Sequence, residues 1–286
     1  MKIKDFTGKK CFITGAASGI GRATALAMAD RGARLFLTDI NQPQLEEVVS
    51  QIEDKGGTVV AHEAFDITDY DAVRAFAEKI RKESGPMDIV MNIAGTSVWG
   101  SVSRLKHEHW DKMVSINLMG PINVIECLLP AMVEARRGGH LVNVSSAAGI
   151  IALPWHAAYS AGKFGLRGVS EVLRYDLRRY GIGVSVVCPG AVKTPLVGTV
   201  QILGVDRNHK AARGLVGRFE KHAVSPEKVA RDIIRAIQKN RFMVFTSLDI
   251  RLIYWIKRKC FPVYHLTMIT MNNLLIHFFG KAGQKE

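Results

Sequence analysis

Cysteine is scarce in this chain and badly placed for cross-linking. Cys11, Cys127, Cys188 and Cys260 are scattered without C-x-x-C spacing, and the first and third fall in expected buried strands. They read as free thiols of a reducing compartment rather than disulfides or metal ligands. There is no H-E-x-x-H, no Cys/His cluster and no paired-carboxylate pattern, and the nine histidines are spread out, so no metal is called for. The G-x-S-x-G elbow of a Ser-His-Asp hydrolase is also missing. Repeats and low-complexity stretches are absent. The net charge is +13, yet no basic stretch is interleaved with aromatics and no helix-turn-helix pattern is visible, which argues against a nucleic-acid partner. No signal peptide is seen, because Met1-Lys2-Ile3-Lys4-Asp5 is charged, short and runs straight into the first strand. The body is expected to be cytoplasmic.

What is present fits one large α/β domain: 286 residues, 48% hydrophobic, with ordinary charge. Lys10 to Thr14 is a short apolar run that ends in Gly15-Ala16-Ala17-Ser18-Gly19-Ile20-Gly21, after which Arg22 to Asp30 reads as an Ala-rich helix. A Gly-rich turn between a strand and a helix lets backbone approach a pyrophosphate, whose charge the free N–H groups of the helix start favour. Its plainer reading is a tight turn. Arg34 to Thr38 reads as the second strand and Asp39 follows it. A carboxylate there accepts hydrogen bonds from ribose hydroxyls and repels a 2′-phosphate, and neither Ala16 nor Ala17 supplies a cation, which argues for NAD over NADP. The alternative for Asp39 is a turn or helix-cap residue. Residues 43 to 55 form an amphipathic helix, Thr58 to Ala64 a third strand and Asp88 to Asn92 a fourth. A long helix spans about His107 to Arg136, and Val184 to Cys188 is a further strand. Ser225-Pro226-Glu227 opens a helix in cap-and-first-turn style, and a strand near Phe242 to Phe245 completes the sheet.

The chemistry centres on Tyr159-Ser160-Ala161-Gly162-Lys163. Positions four apart lie on one helix face, so a phenol and an ammonium share a site. A phenol titrates near ~10 in water, and a fixed cation beside it favours the phenolate, making Tyr159 a candidate general base. Thirteen residues upstream, Ser146 ends the strand-like run from Gly139, and a hydroxyl at a strand end faces a crevice.

Together these motifs, with Asn92-Ile93-Ala94-Gly95 and Pro189-Gly190, resemble the short-chain dehydrogenase/reductase family over roughly residues 7 to 245. The resemblance implies a doubly wound parallel sheet in a three-layer αβα sandwich. It implies a catalytic set of Asn117, Ser146, Tyr159 and Lys163, with Lys163 also binding the nicotinamide ribose and Asn117 holding a water that continues the proton path. A helix-packing Asn is the alternative for Asn117. Family spacing selects Ser146 over Ser145, whose side chain faces the other way on an extended strand. For the cofactor it implies contacts by Gly15, Ser18, Gly19, Ile20 and Gly21, by Asp39, and by Asp66 and Ile67 at the adenine. It further implies Asn92, Ala94 and Gly95, and Pro189, Gly190, Val192 and Thr194 at the nicotinamide. Asp66 equally suits a cap for a helix starting near Asp69. Ile93 departs mildly from the family, which usually has Asn or Ala there.

The proposed substrate pocket draws on Trp99, Trp155, Leu153 and Leu196 beside the motif residues, with residues 195 to 222 as a mobile lid. Beyond the domain, residues 247 to 286 form a tail unlike the family's usual ending. Leu248 to Ile256 is apolar, Lys257-Arg258-Lys259 is basic, and Cys260 to Gly280 carries no acid, Lys or Arg. Two Asn, two His and a Pro make it a poor membrane span, and an interfacial segment fits better. The alternative is that the tail packs on the domain, roofs the pocket or pairs subunits. The expectation is an NAD-dependent oxidoreductase of bulky hydrophobic secondary alcohols or ketones, assembled as a dimer or tetramer. The other readings are a 3-oxoacyl-thioester reductase, with Arg207, Lys210, Arg213 and Arg218 drawing an acidic carrier, and a non-catalytic dinucleotide-binding or membrane scaffold.

Overall fold

The computed structural model describes residues 2–195, 200–204 and 223–279. Seven strands build one parallel sheet: β1 (Lys10–Thr14), β2 (Arg34–Asp39), β3 (Thr58–Ala64), β4 (Ile89–Asn92), β6 (Gly139–Val144), β7 (Ile182–Cys188) and β9 (Met243–Phe245), in the order β3-β2-β1-β4-β6-β7-β9. Val98–Trp99 (β5) and Gln201–Ile202 (β8) pair separately, a two-residue parallel contact too short to leave a sequence signal.

Side chains alternate across the sheet with period two, and the strands are apolar on both faces because both are covered. Cys11, Ile13, Leu35, Leu37, Ile89, Met91, Val142 and Val144 face one layer. That layer holds helices α1 (Gly19–Ala29), α2 (Gln42–Glu53) and α7 (Pro226–Lys239), which bring Met28, Leu45, Val48 and Ile233. Phe12, Phe36, Val90 and Leu141 face the other, meeting Phe76 and Ile80 of α3 (Tyr70–Ser84) and Leu128 and Met132 of α5 (Gly120–Ala135). Helix α6 (Ala157–Asp176) lies beside them. This is the doubly wound αβα sandwich.

The long helix expected from His107 to Arg136 is broken. It runs as α4 (His107–Val114), a π-helical turn at Ser115–Met119, then α5. Hydrophobic periodicity does not register one wide turn, although such turns gather at functional sites. Asn117 sits in it, fully buried.

The tail forms α8 (Leu248–Lys259) and α9 (Phe261–Phe279). Ile250 and Tyr264 are buried against Ala147, Ile150, Ile151, Val186 and Cys188. Tyr264 Oη accepts from Ala152 N at 2.7 Å, and Lys257 Nζ donates to Ile150 O at 2.7 Å. The described tail therefore packs on the domain beside the strand ends that carry the site.

Candidate active site

In a parallel sheet every loop after a strand emerges at the same edge, and the order reverses between β1 and β4, opening a crevice there. Gly15, Asp39, Asp66, Asn92, Ser145 and Pro189 each stand at or just beyond a strand end, so topology alone gathers them.

The turn after β1 is built for close backbone approach. A Cβ on Gly21 would lie 1.8 Å from Gly15 O, and one on Gly15, at φ 68°, would lie 2.8 Å from Ala94 Cα. Gly19, at φ 51°, faces Thr194, whose Cγ2 a Cβ would meet at 3.0 Å. Helix α1 begins with Ser18 as a cap whose side chain makes no capping bond, and its first turn holds no acid. The open amides and positive helix end fit a pyrophosphate. Asp39 closes the cradle: Oδ2 accepts from Ala17 N and Oδ1 from Asn41 N, both at 3.0 Å. Thr14 Oγ1 accepts from Ile93 N at 3.0 Å and Ala94 N at 3.1 Å, pinning the β4 exit against the turn.

Two expected cofactor residues face elsewhere. Asn92, 2% exposed, donates through Nδ2 to Asn143 Oδ1 at 2.9 Å. Asn143 donates in turn to Ser170 Oγ at 2.8 Å, so the Asn92 side chain ties β4 to β6 and α6 inside the core. Ile67 is buried against Gly120, where a Cβ would lie 2.6 Å from its Cδ1. Asp66 accepts from Thr68 N at 2.8 Å in a local turn, and the cap of α3 is Asp69, which accepts from Ala72 N at 3.1 Å.

The catalytic candidates converge. Ser145 and Ser146 diverge as an extended backbone requires. Both border a cleft of about 350 Å³ with Tyr159 and Lys163, but Ser145, 3% exposed, donates its hydroxyl to Lys163 O at 2.8 Å, whereas Ser146 is the more exposed of the two. Ser146 Oγ accepts from Ala148 N at 3.1 Å, which fixes the hydroxyl in the cleft wall beside Tyr159. Lys163, 3% exposed, donates from Nζ to Val144 O at 3.0 Å, and Nζ lies 5.9 Å from the Tyr159 ring centroid. Burial lowers the Lys163 ammonium to about 8. Burial also raises the Tyr159 phenol above its ordinary range, with the nearby Ser146 hydroxyl pulling the other way. The lysine charge is expected to bring the phenol down; the burial of the phenol sets the direction instead. Asn117 is held by backbone: Nδ2 donates to Thr96 O at 3.0 Å and Met113 O at 3.1 Å, and Oδ1 accepts from Thr96 N at 3.3 Å. Gly95 stands between Asn117 and Lys163, where a Cβ would lie 2.9 Å from Asn117 Oδ1 and 3.1 Å from Lys163 Nζ.

The cleft is also lined by Ile20, Gly95, Pro189, Gly190, Val192, Thr194, Trp99 and Leu153. Trp155 is not in its wall. Its backbone turns left-handed at φ 65° and its carbonyl accepts from Gly100 N, and the next residue, His156, takes the place beside Trp99, ring centroids 4.5 Å apart. Leu196 and most of the expected lid, with Arg207, Lys210, Arg213 and Arg218, lie outside the described residues. Sequence reading missed His156, Asp249 and Ile250 as wall residues. Ile250 packs on Gly190, where a Cβ would meet its Cγ1 at 2.9 Å, so the first tail helix forms one side of the cleft. Only the apolarity of the tail hinted at this.

A family profile described as short chain dehydrogenase matches residues 9–202. The chain is 36% identical over 227 residues to the 3-oxoacyl-(acyl-carrier-protein) reductase FabG of Thermotoga maritima, covering 79% of this chain and 89% of that protein. It is 34% identical over 233 residues to "Probable oxidoreductase EphD" of Mycobacterium tuberculosis, covering 80% of this chain but 39% of EphD, so it spans about two fifths of that relative's length. The crystal structure of a short-chain dehydrogenase/reductase from Burkholderia phymatum in complex with NAD matches with a TM-score of 0.81 at 26% identity, covering 91% of this chain and 96% of that one. Sequence profile, relatives and fold agree, and the chain belongs to the short-chain dehydrogenase/reductase family of nicotinamide-dinucleotide oxidoreductases.

Proposed function

We propose that the chain interconverts a bulky hydrophobic secondary alcohol and its ketone with NAD, using Tyr159 as general acid and base. The observation that carries this reading is that half-buried Ser146 and Tyr159 and buried Lys163 share the wall of one cleft, whose other lining residues include Trp99, Leu153, Val200 and Ile250 and are mostly apolar. Gly15, Gly19, Gly21, Asp39 and the 189–194 loop would hold the dinucleotide, which supplies the hydride acceptor or donor and, when oxidised, a second positive charge beside Tyr159. In the oxidation direction Tyr159 Oη takes the hydroxyl proton of the substrate, and in reduction it returns it. Ser146 holds the substrate oxygen against Tyr159. The Lys163 ammonium favours the phenolate, and Asn117 fixes the strand-end backbone at Thr96 against α4.

Asp39 supports NAD over NADP: its carboxylate accepts from the Ala17 amide in the turn after β1, where a 2′-phosphate would meet negative charge. A bulky apolar substrate follows from the cleft walls. The FabG relative favours a second reading, reduction of a 3-oxoacyl thioester, which needs the same proton donor and a cationic carrier surface.

The test is Tyr159→Phe, which keeps the ring and removes the proton carrier. Turnover should fall by at least about 10²–10⁴-fold while dinucleotide affinity stays within a few-fold of wild type. Turnover close to wild type would overturn the assignment.

A further inference from the structure

The tail carries two features that the catalytic cleft does not use. The inner side of α8, with Ile250, Ile253 and Tyr254, packs on the domain. Its outer side leaves Leu248 81%, Leu252 56% and Trp255 57% exposed, at spacings of four and three, with exposed Arg251, Arg258 and Lys259 among them. Helix α9 has no Asp, Glu, Lys or Arg, packs through Tyr264 and Met268, and exposes Phe261, Val263, Leu266, Ile269, Leu274 and Ile276. Surface helices ordinarily turn polar residues to water, and apolar area on this scale marks a docking face.

The second feature is a cavity of about 660 Å³ between α6 and α8, lined by Arg167, Arg174, Lys257 and Arg258, with Glu171 the single acid in its wall. Glu171 is already held by Arg167 at 2.7 Å. Burial, and then the Arg167 charge, hold the Lys257 ammonium below its ordinary range. The wall thus carries three guanidinium side chains and one ammonium against one carboxylate, an excess of positive charge that suits an anion.

We propose that α8 and α9 dock this protein onto an anionic bilayer. The apolar faces enter the boundary between headgroups and acyl chains, and the Arg167–Arg174–Lys257–Arg258 cavity receives a lipid phosphate. The charges select this occupant over a second copy. A two-fold pairing through the same face would bury Arg251, Arg258 and Lys259 of both copies in one interface, like charge with like. The net charge of +13 acts in the same direction as the local cluster. Asp249 and Ile250 of α8 line the catalytic cleft, so one helix separates cleft from bilayer, and an apolar substrate dissolved in the membrane would be delivered beside it.

Flotation of the full chain with phosphatidylcholine vesicles and with phosphatidylcholine–phosphatidylglycerol vesicles tests this independently of the reaction. The expected result is flotation with the anionic vesicles only, weakened by salt. Binding should drop at least about tenfold in Leu252→Glu/Trp255→Glu and in Arg174→Glu/Arg258→Glu. Leu252→Gln/Trp255→Gln serves as a milder pair, and dinucleotide binding confirms that each variant is folded. No flotation with either vesicle, equal flotation with both, or unchanged flotation of folded variants would overturn the proposal. So would a soluble dimer, seen by light scattering, that Trp255→Glu dissociates.

Discussion

Lys163 is a buried cation with no carboxylate paired to it among the described residues, and its position is worth more to chemistry than to folding. Its Nζ has one protein acceptor, Val144 O, and burial lowers the ammonium from the ordinary lysine value to about 8. Between about 8 and that ordinary value the unfolded chain binds more protons than the folded one. Stability from this residue therefore rises with pH across the window, and at neutral pH the charged lysine is a cost. Lys163→Met should raise stability at neutral pH by about 1–3 kcal/mol, less any loss from the Val144 bond, and the gain should shrink as pH climbs toward about 10. The same variant should lose turnover, because nothing else in the cleft wall supplies a cation beside the Tyr159 phenol. Thermal unfolding across pH checks the first part and a rate assay the second. A variant that is destabilised equally at all pH values would contradict the account of burial. The pairing of Tyr159 with Lys163 was readable from their spacing of four. The upward push of burial on the phenol was not, because burial is a property of the packed domain.

At the scale of elements, the site depends on loops pressed together rather than on any one helix. Gly95, after β4, fills the gap between the Asn117 amide and the Lys163 ammonium. Gly95→Ala should push Lys163 or Asn117 aside and lower turnover about tenfold or more, with a smaller effect on stability, since a 1 Å misplacement of a positioned group is costly. Unaltered turnover in Gly95→Ala would mean that this junction does not set the geometry. The strands were legible because apolar residues fill both faces of a covered sheet, and the Gly-rich turn because its glycines mark positions no side chain fits. The π-turn holding Asn117 was not, since α4 and α5 continue the same apolar periodicity on either side of it. Asn92 shows the limit of motif reading: its place in the motif was correct and its side chain points into the core, toward Asn143.

For the whole molecule, the sheet order placed the crevice and the tail closed one side of it. Six of the strand-end segments could be located from sequence, but the contribution of Asp249 and Ile250 to the cleft comes from a helix far along the chain folding back onto Gly190. No local pattern encodes that return. It also places α8 over α6, through Arg167–Tyr254 and Lys257–Phe164. The wall it builds sets the apolar Ile250 beside Asp249, and the cofactor cradle carries Asp39. The most direct measurement is therefore reduced-dinucleotide formation by the purified full chain with NAD and, separately, NADP, across steroid, long-chain and short secondary alcohols. The account predicts turnover with NAD, strongest for the bulky apolar alcohols. Turnover with NADP alone, or with short alcohols alone, would contradict it.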